Sequence, residues 1–179
     1  MKYLTILSIV TMLLSVTNEI IFDFNKSCDM GSWMIVDDGV MGGLSQGTMK
    51  LNDQGHGVFS GFVTTENNGG FSSVRYNFEK MNVSGFIYVV LRLKGDGKNY
   101  QFRIKQNRYD RASYINTFET SGEWETIRIP LKDFFPSFRG YKLDRPNFDG
   151  SYMEEIAFLI ANKQKENFKL KIDSIYLEE

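Results

Sequence analysis

Phe86-Ile87-Tyr88-Val89-Val90-Leu91-Arg92-Leu93-Lys94-Gly95-Asp96-Gly97-Lys98-Asn99-Tyr100-Gln101-Phe102-Arg103-Ile104-Lys105-Gln106 is the stretch on which the fold is read. Over Phe86–Lys94, Ile87, Val89, Leu91 and Leu93 share one parity, while Tyr88, Val90, Arg92 and Lys94 share the other. Over Lys98–Gln106, Tyr100, Phe102 and Ile104 alternate with Gln101, Arg103 and Lys105. Side chains of a strand point alternately to opposite faces, so a period of two with one apolar parity makes a half-buried strand. Gly95-Asp96-Gly97 between them reads as a turn, and the two strands are expected to pair as a hairpin.

The same period recurs outward from this stretch. Further strands are expected at Glu19–Phe24, Gly47–Leu51, His56–Val63, Phe71–Asn77, Ser113–Glu119, Glu123–Ile129, Glu154–Ala161 and Asn167–Leu177. No long stretch carries a helical period. About ten short strands separated by Gly and Asn turns predict an all-β chain, a β-sandwich or jelly roll. Without a composition break or an internal repeat, residues 18–179 read as one domain. The longest irregular stretch, Phe134 to Tyr152, contains Pro136 and Pro146, and loops of that length are often functional.

Composition narrows the chemistry. The chain has 179 residues, 42% hydrophobic and 15% aromatic, which excludes disorder. With 21 Lys+Arg against 22 Asp+Glu, the net charge of −1 argues against a nucleic-acid binder, which needs excess basic charge. One cysteine, Cys28, excludes an intrachain disulfide and any cysteine-cluster metal site. One histidine, His56, sits between Gly55 and Gly57, where a solvated turn residue is the expected reading. A serine or cysteine triad would have only this turn residue to relay its proton, and a His/Cys zinc site finds too few ligands. Gly39 to Gly43 lacks the Lys-Ser/Thr that completes a phosphate-cradling loop. A hydrolase acting through Asp37, Asp38 or Glu66 is the minority reading, since adjacent strand residues point to opposite faces. The expectation is a monomeric binding protein, not an enzyme, with no cofactor and no metal.

The first residues read as an address. Lys2 precedes the uncharged apolar run Tyr3–Val16, too short for a span of about 20 residues. Residues 1–17 are expected to be a secretory signal, with a retained anchor as the alternative, and the protein to be periplasmic or extracellular.

Two features stand above this background. Outside the apolar parity lie Arg75, Arg92, Gln101, Arg103 and Trp124, with Arg139 and Tyr141 on the long loop. If their strands share a sheet, they line one surface of guanidinium forks and aromatic rings suited to carboxylates and sugars. That surface is expected to bind a protein partner or a glycan. The second feature is a pair of glycine-dense loops, with Asp37, Asp38, Gly39, Gly42 and Gly43 in one and Asn68, Gly69 and Gly70 in the other. Interleaved Met41 and Leu44 point to close backbone packing, with the aspartates capping turns. A structural Ca²⁺ on Asp37 and Asp38 is the less common alternative.

The loops also carry a resemblance. Trp33 and Val36-Asp37-Asp38-Gly39-Val40-Met41-Gly42-Gly43-Leu44-Ser45 resemble the opening signature of the complex I intermediate-associated protein 30 family. The likeness continues in order through Phe59-Ser60-Gly61, Glu66-Asn67-Asn68-Gly69-Gly70-Phe71-Ser72-Ser73-Val74-Arg75 and Lys94-Gly95-Asp96-Gly97-Lys98-Asn99-Tyr100. It runs on through Gly122-Glu123-Trp124, Ile129-Pro130, Phe134-Phe135-Pro136-Ser137-Phe138-Arg139-Gly140 and Phe168-Lys169-Leu170-Lys171-Ile172-Asp173-Ser174-Ile175. The resemblance implies a galactose-binding-like jelly roll, similar to family 11 carbohydrate-binding modules. It also implies a non-enzymatic role, since mitochondrial members are chaperone-like assembly factors for respiratory complex I. The leader has one Lys and no Arg, unlike a mitochondrial transit peptide, so the chain looks like an exported bacterial relative. Binding of a complex I assembly intermediate is the alternative function.

Overall fold

The computed structural model describes residues 17–179, with backbone alone at Val40 and Asn68. The expected leader, apart from Thr17, lies outside the described residues. Among the described residues, thirteen strands form two sheets. The six-stranded sheet has the order β3 (Gln46–Leu51), β4 (Gly57–Val63), β13 (Glu166–Glu178), β6 (Tyr88–Lys94), β9 (Trp124–Pro130), with β1 (Asn18–Asp23) also paired to β13. The seven-stranded sheet runs β11 (Tyr141–Lys142), β10 (Phe135–Phe138), β8 (Ser113–Glu119), β7 (Asn99–Lys105), β12 (Tyr152–Ile160), β5 (Ser72–Asn82), β2 (Trp33–Asp37). Every pairing is antiparallel.

The apolar parity of each strand meets its counterpart across the sandwich. From the six-stranded sheet come Phe59, Val89, Leu91, Leu93, Leu170, Ile172 and Ile175, all fully buried. From the other come Tyr100, Phe102, Ile104, Ile156, Phe158 and Ile160. Each fully buried large side chain contributes about 1.5–3 kcal/mol, so this shared core outweighs any local preference. An aromatic box closes one end: Phe22 meets Trp33 edge-on at 5.3 Å, and Trp33 stacks on Tyr76 at 4.9 Å.

The all-β sandwich expected from the alternation is the observed architecture, but the expected hairpin is not. β6 pairs with β13 and β9, whereas β7 pairs with β8 and β12 in the opposite sheet. Gly95-Asp96-Gly97 therefore carries the chain across the core instead of folding it back within one sheet. Asp96 anchors that crossing: its carboxylate accepts from Tyr100 Oη (2.9 Å), Lys98 Nζ (2.8 Å) and Lys169 N–H (2.9 Å). A hairpin and a crossing show the same alternation, because in both the apolar sides of the two strands face the core. Three strands arise where none was expected. β2 is an edge strand without clean alternation, and β10 and β11 lie inside the stretch read as irregular. That stretch is pinned by Phe134 and Phe148, both buried, with Phe148 N–H bonded to Phe134 O at 2.9 Å.

Candidate functional site

On β5, β12 and β7, the residues turned away from the core fall into cross-strand rows. Register aligns Met34, Arg75, Ala157, Arg103, Ile115 and Phe135 in one row. Val36, Ser73, Leu159, Gln101 and Thr117 form the next. Arg75 and Arg103 thus stand on either side of Ala157, which is 3% exposed beneath them. Gln101 fixes Arg103: its carboxamide oxygen accepts from Nε (3.1 Å) and Nη2 (2.7 Å). Burial, then repulsion from Arg75, lowers the Arg103 pKa to about 10, with Glu155 opposing the shift. It remains a cation at neutral pH. Glu155 cannot neutralise it fully, because its carboxylate lies 3.4 Å from Lys105 Nζ in a buried pair.

The other expected contacts do not join this surface. Arg92 and Trp124 belong to β6 and β9 of the opposite sheet, where the Arg92 guanidinium lies 5.6 Å from the indole. One polar face carrying all seven residues is therefore corrected to two faces. A period of two fixes parity along a strand, but it does not say which sheet the strand joins. Arg139, at φ +50° in the β10–β11 turn, has its guanidinium 5.4 Å from the Phe138 ring. Tyr141 is exposed in β11 at the sheet edge. Phe138 in turn lines an end groove of about 550 Å³ with Arg111, Tyr114, Leu143 and Arg145. Sequence reasoning passed over that groove, as it did Ala157 and the Lys105–Glu155 pair. The pair carries no signal in the sequence: Lys105 and Glu155 sit at outward positions, where charge is expected, yet are buried.

The glycine-dense loops resolve into a knot around two carboxylates. Asp38 is fully buried and accepts from Ser45 N–H (3.0 Å), Ser45 Oγ (2.5 Å), Gly70 N–H (2.6 Å) and Phe71 N–H (3.2 Å). Burial pushes its pKa up, but these hydrogen bonds outweigh it and hold the group below the ordinary aspartate value. Asp37 accepts from Ser72 Oγ (2.6 Å) and Gly47 N–H (2.9 Å). The glycines leave room for the acids. A Cβ on Gly43 would lie 2.3 Å from Asp38 Cγ, and one on Gly69 would lie 2.7 Å from Asp38 Oδ2. Gly42 takes φ +89° to close the short 3₁₀ turn that carries Gly39. The 3₁₀ turn through Asn68 brings Gly69 and Gly70 beneath the carboxylate.

This arrangement answers the two chemical alternatives for the acids. Both oxygens of Asp37 and of Asp38 already face protein donors, leaving neither acid an open array for Ca²⁺ or for a substrate. Glu66, the third hydrolase candidate, lies exposed 3.7 Å from Lys165. Among the described residues no group of three or more His, Cys, Asp or Glu could hold a metal. His56 is not the freely solvated residue expected. It packs on Trp124 at 4.6 Å and approaches Asp173 at 3.7 Å, with the side chain 20% exposed. Cys28 is half-buried, its Sγ 3.9 Å from Met30 Sδ.

Known proteins of the same shape and sequence pattern bear on this geometry. The chain is similar to a family 11 carbohydrate-binding module from Clostridium thermocellum, solved with a β-1,3-1,4-mixed-linked tetrasaccharide. The TM-score is 0.64 at 19% identity, over 89% of this chain and 94% of that one. The family 11 module of a cellulosomal cellulase of the same organism gives 0.65 at 17% identity, over 91% and 95%. An agarase matches at 0.61 and 12% identity, over 89% of this chain but 24% of the agarase. These likenesses show a shared fold. In sequence, the chain is 23% identical over 180 residues to the mitochondrial complex I intermediate-associated protein 30 of Mus musculus. That match covers 88% of this chain and 55% of the mouse protein, so the chain spans about half the length of its relative. The family model of complex I intermediate-associated protein 30 matches residues 22–172, taking in both glycine-dense loops and all of the sandwich except most of β1 and the closing part of β13, and the chain belongs to that family.

Proposed function

We propose that the chain is a non-catalytic binding domain whose ligand, a glycan or a segment of a partner protein, lies along the outer face of the seven-stranded sheet. The observation that carries this reading is the pair Arg75 and Arg103 flanking Ala157. Among the described residues, neither guanidinium has a carboxylate within salt-bridge distance. Guanidinium donors turned outward, those of Arg103 held by Gln101, favour holding a polar ligand, and Asp37 and Asp38, two of the acids that could have served catalysis, are tied into the loops. Glycan-array and pull-down screens with the intact chain and with Arg75→Ala plus Arg103→Ala test the face. Ligands retained by the double variant would refute it.

The leader motivates a further part of the proposal, that the domain acts outside the cytoplasm. N-terminal sequencing after cell fractionation tests this, and a full-length cytoplasmic chain would overturn it. A second reading, assembly of respiratory complex I, is favoured by the family and by the mouse relative's name. It requires co-purification with respiratory-chain intermediates and lost complex I activity on deletion.

A further inference from the structure

We infer that the Arg75–Arg103 pair is a receptor for an anionic group, carboxylate or sulfate ester, carried by a saccharide chain; this rests on the outer face being the binding surface. The two guanidinium groups project from strands β5 and β7, which flank β12. Their backbones therefore lie roughly 9.6 Å apart, twice the inter-strand spacing. Ala157 between them offers no side chain beyond a methyl group. Two like charges stand there close enough to repel each other, and both side chains are half-buried. Glu155, whose carboxylate acts on Arg103, is held by Lys105 at 3.4 Å. A guanidinium has five N–H donors. Arg103 spends Nε and Nη2 on Gln101, and Arg75 makes no side-chain hydrogen bond among the described residues. Unspent donors of one sign around a small floor are complementary to an anion bridging the pair, and guanidinium forks match the planar carboxylate.

The surroundings favour a saccharide over an acidic peptide. The pair sits on β5 and β7, both inside the sheet, whose backbone donors are taken by the neighbouring ladders. A peptide adding as a strand needs a free edge, which this position lacks. The flanking side chains instead offer hydroxyl and amide partners: Thr117 is exposed, and Gln101 keeps its NH₂ for a ligand. The row ends on the half-buried Phe135 ring, over which Lys142 Nζ lies 5.2 Å from the centroid, a further cation on the same face.

Calorimetric titration of the full chain with oligogalacturonate, its methyl-esterified form of equal length, and a sulfated carrageenan oligosaccharide tests the inference. Poly-glutamate serves as the peptide probe. Binding of at least one anionic oligosaccharide is expected, weakening with salt. Arg75→Gln and Arg103→Gln should each reduce it about thirtyfold or more, with melting temperatures that show intact folding. Arg92→Gln, on the opposite sheet, should leave it unchanged. Equal binding of acid and methyl ester, lost together in Arg75→Gln, would overturn the anionic ligand while keeping the face. Acid binding that survives both variants would overturn the site, and with it the face. Tighter binding of poly-glutamate would overturn the saccharide, and no binding of either anionic oligosaccharide would overturn the inference as a whole.

Discussion

Replacing Asp38 by asparagine probes the loop knot directly. The substitution keeps side-chain size but removes the charge and turns one acceptor oxygen into a donor. In the better orientation the remaining oxygen faces Ser45 Oγ, Gly70 N–H and Phe71 N–H, and the new NH₂ meets Ser45 N–H. Hydrogen bonds to a charged group contribute about 1.5–3 kcal/mol each, and a buried donor left unpaired costs about 1–3 kcal/mol. These terms are not additive, because the loops relax. A loss of about 3–5 kcal/mol is expected, out of a total typically near 5–15 kcal/mol. For a domain of this size the melting temperature should fall by roughly 6–20 °C.

The pH dependence gives the sharper test. Asp38 titrates below its unfolded value in the folded chain. Its stabilisation is therefore complete above the unfolded aspartate pKa, about 3.9, and disappears as pH falls through the folded one. The gap between the native chain and Asp38→Asn should be full at pH 7 and close on acidification below about pH 4. Urea unfolding followed by tryptophan fluorescence at pH 7 and pH 3 reads both, since Trp33 begins the strand leading into the knot. A gap under about 0.5 kcal/mol at pH 7, or one equal at the two pH values, would refute the charged carboxylate as organiser of the loops. A chelator should leave the native melting temperature unchanged, because protein donors occupy the carboxylate oxygens.

Other outcomes follow from neighbouring geometry. Gly39→Ala should change stability by less than about 1 kcal/mol, since its Cβ meets nothing within 4 Å. Gly43→Ala, four residues on, should cost about 1–3 kcal/mol by displacing Asp38, and thermal unfolding separates the two. Lys105→Met should lose about 3–5 kcal/mol by stranding Glu155, whereas Lys105→Met with Glu155→Leu should recover most of it. Urea unfolding of both variants checks the pair; a double variant as unstable as the single would show that the charges themselves hold the sheet. Phe158→Ala should cost about 3–5 kcal/mol in the same assay, as its ring fills the centre of the core against Phe102 at 5.1 Å.

The legibility of the site divides along the same line as that of the fold. Arg75, Gln101 and Arg103 were readable as outward residues because Val74, Phe102 and Ile104 beside them are plainly apolar. Arg92 and Trp124 were equally readable as outward, and they are, but on the other side of the molecule. Lys105 and Glu155 were hidden, since nothing local marks a charged pair as buried. The carboxylate knot was half legible. Glycines crowded around Asp37 and Asp38 announced close backbone packing, but the donors at Gly70 and Phe71 come from more than thirty residues away.

By itself the sequence determined parity along ten of the thirteen strands: which side chains turn inward and which turn outward. That property is local, because it follows from the pleat of a single extended chain. Tertiary structure alone decided the partner of each strand, and so whether Gly95-Asp96-Gly97 turns back or crosses, and whether two arginines meet or stand on opposite surfaces. Backbone hydrogen bonds are chemically alike at every position, so a strand carries no local mark of its neighbour. The choice is made by how the whole set of apolar faces closes over one core.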